Sequence, residues 1–189
     1  MPMQIPQDVT IQKQLSVLRY RQWLDTEFFS ARWWALVAVI AMIAVVWWLL
    51  VRKSRLLEIG LFAVLAAVVF MGVGEYGEEL TLWDYPVDLI AWYPPLTAVN
   101  FILLAAGLSL VYQRFETTAS FLLSSALYDA LVCFIAEPLL SAAGLYRIVR
   151  WHYYESFPVY FIAAVVLRST VRLIYRAADY RSRIVKRSM

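Results

Sequence analysis

Five apolar stretches run through this chain, and each approaches the roughly 20 residues a helix needs to cross about 30 Å of hydrocarbon. They occupy about Trp33–Val51, Leu56–Gly74, Leu89–Tyr112, Thr118–Glu137 and Phe157–Tyr175, the fourth extending past Pro138 toward Gly144. Strands of a membrane β-barrel would be half as long and would alternate apolar with polar residues, which these stretches do not. The expected fold is therefore all-α: a polytopic membrane helix bundle of about five spans, preceded by an N-terminal amphipathic or interfacial helix. Three segments follow, with residues 1–32 as the amphipathic segment, 33–175 as the bundle and 176–189 as a basic tail.

Charged residues make up 16% of the chain and hydrophobic ones 62%, against about 25% charged in an ordinary soluble domain. The net charge of +3 is carried by cations beside apolar spans rather than on a globular basic surface, so nucleic acid is not an expected partner. The partner is the bilayer. Cys133, the single cysteine, lies in an apolar run and reads as a packing residue; it permits neither an intrachain disulfide nor a cysteine-rich metal site. The first 32 residues are longer and more charged than a signal-peptide leader, so the first span is expected to be retained.

Aromatic pairs, Trp33-Trp34 and Trp47-Trp48, flank the first span as interfacial belts do. Counting flanking cations sets the orientation. Arg52, Lys53, Arg55, Arg114, Arg176, Arg181, Arg183, Lys186 and Arg187 fall on one side; Lys13, Arg19, Arg21, Arg32, Arg147 and Arg150 fall on the other. The richer side is expected to be cytoplasmic, with the N-terminus outside and the C-terminus inside. Ile11, Leu15, Leu18 and Phe29 share one face at helical spacing, so residues 11–30 read as a surface or packing helix, with a partner-binding helix as the alternative. The tail from Arg176 is expected to lie against anionic headgroups.

Carboxylates supply the only hint of chemistry, because an ionisable group in or beside a span is expensive. Between the second and third spans lie Glu75, Glu78, Glu79, Asp84 and Asp88 without an intervening cation, interleaved with Trp83 and Tyr85. With Tyr93, these residues form a candidate mouth for a substrate or ion, and crowded carboxylates can share a hard cation. The alternative is a solvated acidic loop anchored by aromatics. Glu137 stands in an apolar run beside Pro138, which cannot donate to the carbonyl of Phe134, so the helix is expected to kink or end there. Its candidate roles are a general acid or a structural hydrogen bond to Tyr146 or Trp151. Asp129, about 12 Å down the same helix, is expected to be protonated or paired. Arg168 and Arg172, four apart on the fifth span, are its candidate partners, with Glu58 as a second carboxylate for the same pair. Asn100 is expected to hydrogen-bond across the bundle. His152, the lone histidine, reads as an interfacial residue rather than a ligand. No nucleophile triad, metalloprotease motif, phosphate loop or dinucleotide fingerprint occurs, so no cofactor or metal is implied.

Leu56-Leu57-Glu58, Leu82-Trp83-Asp84-Tyr85-Pro86, Tyr93-Pro94-Pro95, Val111-Tyr112-Gln113, Phe134-Ile135-Ala136-Glu137-Pro138-Leu139, Gly144-Leu145-Tyr146 and Ser156-Phe157-Pro158-Val159-Tyr160 follow one another in this order. Over about residues 33–175 this succession resembles an uncharacterised family of small multi-span membrane proteins from spore-forming Gram-positive bacteria. The resemblance implies a bacterial cell membrane and a helical architecture, and no mechanism. Asn100 departs from the acidic residue expected there. The Trp-Asp-Tyr-Pro stretch and the Glu-Pro pair are also faintly similar to small membrane-embedded lycopene cyclases, which implies carboxylates able to protonate a polyene.

Three functional readings follow. The first is a non-enzymatic accessory or envelope factor. The second is an intramembrane enzyme acting on a lipid or isoprenoid, with Glu137 as general acid and Asp129 or a residue of the acidic segment assisting. The third is a proton- or cation-coupled carrier built on the same carboxylates. The oligomeric state is left open by the sequence.

Overall fold

The computed structural model describes residues 6–91 and 99–187, with side-chain surroundings given for all of these except 99–101 and 179–187. Seven α-helices succeed one another: α1 (Gln7–Gln22), α2 (Ala31–Leu50), α3 (Leu56–Glu79), α4 (Val99–Arg114), α5 (Thr118–Leu131), α6 (Glu137–Ala142) and α7 (Tyr153–Arg187). A two-residue antiparallel pair, β1 (Trp83–Asp84) with β2 (Arg147–Ile148), is the only sheet among the described residues.

Among the described residues, four helical stretches are long and apolar enough to cross a membrane: Ala31–Leu50, Lys53–Glu79, Thr118–Ala142 and Tyr153–Ala178. Ile102–Arg114 is a shorter apolar helix. This architecture is compatible with a membrane location. Of the third expected span, Leu89–Ala91 form bends and a turn rather than helix, and α4 is described from Val99 onward; Tyr93 lies outside the described residues, as does the side chain of Asn100.

Local chemistry explains the boundaries. Ser30 caps α2 by accepting from the Trp33 N–H at 3.2 Å, and Thr117 caps α5 by accepting from Ser120 at 3.2 Å. At the other end of α2, Gln113 of α4 donates to the Leu50 carbonyl and accepts from the Arg52 N–H. One side chain thereby satisfies both polar groups of a buried turn around Val51. α6 closes through Gly144 at φ +72°, with Leu145 N–H bonded to Leu140 and Gly144 N–H to Ser141, the paired bonds that finish a helix with a left-handed residue. α3 ends in the same way on Thr81, at φ +55°, a costly conformation for a β-branched residue.

α4 is central, packing against α2, α3 and α5, while α7 packs on α3 and α5. The core is a set of helical stripes: Ile59, Phe62, Ala66 and Phe70 from α3, Leu104 and Leu108 from α4, and Ala164, Leu167 and Val171 from α7. Spacings of three and four residues put each set on one face. The polarity of α5 is reversed relative to a soluble helix. Ser125 and Asp129 are fully buried, while Leu123, Leu127 and Leu131 are exposed. An apolar exterior around a partly polar interior is what hydrocarbon as solvent requires.

The N-terminal helix departs from its expected form. Every side chain of α1 up to Leu18 is exposed, and apolar Val9 and Val17 lie off the face shared by Ile11, Leu15 and Leu18. Phe29 does not join that face, because the chain leaves the helix after a π turn at Trp23–Glu27 and Phe29 takes φ +57°.

Candidate functional site

Of the two outcomes expected at Pro138, a kink or an end, the helix does not end there; it continues with a local disturbance. α5 passes through a π turn at Val132–Ala136 directly into α6, and Glu137 keeps helical geometry. A π turn accommodates an extra residue, which relieves the clash and the missing donor that proline imposes. It also changes the phase of the helix. Eight residues of regular α-helix would set Asp129 and Glu137 about 80° apart, and one inserted residue moves Glu137 back by about 100°. Both side chains accordingly point inward with no exposed surface.

Glu137 is held by α7. The Tyr160 hydroxyl donates to Oε1 at 2.5 Å, and the Ser156 hydroxyl donates to Oε2 at 3.2 Å. Trp151 reaches the carboxylate indirectly, its Nε1–H donating to Ser156 Oγ at 2.9 Å. Tyr146 sits in the same buried cluster, its phenol pushed up first by burial and then by the Glu137 charge. Tyr146 and Trp151, the partners expected from sequence, belong to the surroundings, while among the described residues the direct donors are Ser156 and Tyr160. Their four-residue spacing in an apolar span is the signal that could have identified them.

An aromatic cover lies over this centre. β1 and β2 bring Trp83 against Trp151 edge-on at 5.2 Å and Tyr85 against Tyr146 at 5.5 Å. Trp83 is 7% exposed and lies on Gly77, where any Cβ would fall 1.8 Å from its ring. Trp83 therefore faces the bundle, not an open mouth.

The acidic segment is divided differently from the expected loop. α3 continues to Glu79, so Glu75, Glu78 and Glu79 stand on its last turns, with Glu75 and Glu79 exposed. Glu78, Asp84, Asp88 and Tyr85 line a cavity of about 270 Å³ together with Glu27 and two cations from distant segments, Arg19 and Arg147. The N-terminal segment is fastened here: Trp23 Nε1–H donates to the Asp88 carbonyl at 2.8 Å, and the Asp88 N–H donates to Glu27 Oε2 at 3.1 Å. Burial pushes the Glu27 carboxyl up, and it pushes Asp88 up to about 7, with Glu27 and Asp84 adding to the effect on Asp88 and Arg19 opposing it. The Arg147–Asp84 pair, 3.8 Å apart and largely exposed, contributes little. Among the described residues no three His, Cys, Asp or Glu side chains gather as metal ligands would, so the cation-sharing alternative has no ligand set there. His152 instead opens α7, its backbone N–H donating to Glu155 Oε2 at 2.7 Å as in half of a capping box.

The expected pairing of Asp129 with Arg168 or Arg172 is not formed. Both oxygens of Asp129 are buried without a hydrogen-bond partner. Arg168 turns instead toward the α4–α5 connection, donating to the carbonyls of Glu116 at 2.7 Å and Thr118 at 3.3 Å, and Arg172 also donates to Glu116. Glu58 is taken by its own helix neighbour, Arg55, through two bonds of 2.9 and 3.0 Å, and by the Tyr112 hydroxyl at 2.6 Å. A partner three residues away is near before the helices pack, which gives Arg55 the advantage over either arginine of α7.

Among the described residues the bundle therefore carries four polar centres: the acidic cavity and Glu137 toward one end, Asp129 deeper in, and the group of Arg55, Glu58, Arg168 and Arg172 at the opposite end. No family model, curated protein or solved structure matches this chain.

Proposed function

We propose that this chain is a multi-span membrane protein with an accessory role in the cell envelope, in which Glu137 joins the α5–α6 helix to α7. The order of motifs over residues 33–175 supports placing it with the uncharacterised family of small multi-span membrane proteins from spore-forming bacteria. The observation that carries the accessory reading is the closure of Glu137. A general acid must reach its substrate, but this carboxylate has no exposed surface and accepts from Tyr160 and Ser156. A lipid or isoprenoid substrate would have to displace those donors.

The test is complementation of a strain lacking the gene. The accessory reading expects Glu137→Gln to complement in proportion to its steady-state amount. A Glu137→Gln protein present at wild-type level yet unable to complement would overturn the reading and favour an intramembrane acid. The proposed orientation, N-terminus outside and C-terminus cytoplasmic, rests on the cation count. Cysteines placed at Ser16 and Ser54 would test it: an impermeant maleimide should label Ser16→Cys from outside and Ser54→Cys only after permeabilisation.

One observation favours a second reading, a proton-coupled carrier. Asp129 is buried in mid-helix with neither oxygen bonded, and such a group is the usual bearer of an exchangeable proton in a membrane path. Dicyclohexylcarbodiimide, which attacks uncharged carboxyls in apolar surroundings, should then modify Asp129 in vesicles and leave Asp129→Asn untouched. Absence of labelling at Asp129 would remove this reading.

A further inference from the structure

At the end of the bundle remote from Glu137, α7 presents Arg168, Arg172 and Arg176 at four-residue intervals, hence on one face. Like charges so spaced repel one another and need a counter-charge. Two carboxylates are close, but both are already committed. Glu58 is bound by Arg55 and Tyr112, and Glu116 Oε1 lies 3.0 Å from Arg55 and 3.9 Å from Arg52. Arg52 and Arg55 thereby balance Glu58 and Glu116. Among the described residues, the three guanidiniums of α7 have no carboxylate within ion-pair distance, and Glu58, which also feels the charge of Arg172, is bonded to Arg55 and Tyr112 instead.

Arg168 makes the excess harder to dismiss as a solvated surface. It is 4% exposed, stacks over the Phe121 ring at 4.4 Å, donates only to backbone carbonyls and leaves its Nε–H buried without a partner. Beside it opens a cleft of about 580 Å³ lined by Arg55, Glu58, Tyr112, Glu116, Arg172 and Arg176. It lies where α2 gives way to α3 and α4 to α5, at the ends of the apolar helices, where headgroup phosphates would lie if the bundle crosses a bilayer.

We propose that this cleft is a binding site for a phosphate oxyanion, held by Arg172 and Arg176 with Arg168 supporting it from beneath. Guanidiniums fit phosphate because their planar donor forks meet two oxygens at once, and several forks along one face serve the several oxygens of one group. The oxyanion has two sources, the headgroup of an anionic phospholipid and a soluble phosphate. The cleft's place at the end of the spans suits the first and its volume admits either.

The test uses the full chain in uncharged detergent, titrated with short-chain phosphatidylglycerol, with phosphatidylcholine as a zwitterionic control and inorganic phosphate as competitor. Binding is read by native mass spectrometry. Phosphatidylglycerol retained over phosphatidylcholine and undisturbed by phosphate identifies a lipid headgroup; displacement by phosphate, or binding of phosphate alone, identifies a soluble ligand. Either supports the site provided Arg172→Gln/Arg176→Gln weakens binding about tenfold or more, the effect of losing charge-assisted hydrogen bonds. Lys13→Gln/Arg21→Gln, the same charge loss at the far end, should bind as wild type. Arg168→Gln is avoided because its burial threatens folding. Should the double variant unfold at lower temperature than wild type, Arg176→Gln alone carries the test through its exposed side chain. Equal binding by the cleft variants and wild type, equal loss in the far-end control, or no binding of either probe overturns the proposal.

Discussion

Glu137 and Asp129 are carboxylic acids on one continuous helix, both without exposed surface, yet they live in opposite circumstances. Glu137 faces hydroxyls on α7 that occupy both of its oxygens, while Asp129 faces a part of the core that offers it nothing. Burial alone therefore does not decide what an acid within an apolar helix does. What decides is whether the helix opposite brings donors to the same level. The satisfied acid is suited to fasten helices, and the unsatisfied one to exchange a proton, because an unbonded group has nothing to release first.

The comparison is broken most forcibly at Glu137. Glu137→Ala leaves the Tyr160 and Ser156 hydroxyls facing a void and should lower stability by about 3 kcal/mol, the scale of orphaned buried polar groups. Denaturant unfolding in detergent would check it, and an unchanged midpoint would mean that the hydroxyls find other partners. Asp129→Leu should act with the opposite sign in the same assay, raising stability by about 1–2 kcal/mol as an unsatisfied polar group is replaced by an apolar one of similar length. A loss there comparable to that of Glu137→Ala would show that Asp129 has bonds of its own and erase the contrast.

Tyr160→Phe sharpens it further. It removes one hydroxyl and should cost about 1 kcal/mol. Combined with Glu137→Gln the effects should be non-additive, since both act on one bond.

The smallest effect lies outside the spans, at Glu27 and Asp88, where burial is the leading cause that raises both carboxyls, Asp88 to about 7 from an ordinary value of 3.8. A folded form that binds protons more tightly than the unfolded one loses stability as pH rises. Docking of the N-terminal segment should be strongest near or below pH 3.8 and weaken as pH passes through about 7. Hydrogen exchange in residues 7–30, corrected for intrinsic rate, should report faster opening at pH 8 than at pH 5. Asp88→Asn should flatten that difference.

Much of this architecture was legible without coordinates. The apolar stretches announced the helices, and Glu137 stood out as a lone acid in an apolar run. Three things were not. Glu58 was matched with the arginines of α7, because sequence shows which charges are present but not which reaches first. The Glu137 donors were sought in aromatic residues of the connecting segment rather than in Ser156 and Tyr160, which look like ordinary span residues. Trp23 and Glu27 carried no visible role until the fold laid them against Asp88.

Sequence alone was enough for the all-α class: hydropathy is a local sum over a stretch of residues, and a long apolar run leaves the backbone little choice but to satisfy its hydrogen bonds within a helix. It determined equally that acids inside those runs would have to be accounted for. Only the tertiary structure decided how. The donors to Glu137 lie 19 and 23 residues away on another helix, and their meeting depends on the relative rotation of two helices. One π turn alters that rotation by roughly a quarter turn. A quantity so sensitive to a single inserted residue is set by packing across the whole bundle, and no window of sequence contains it.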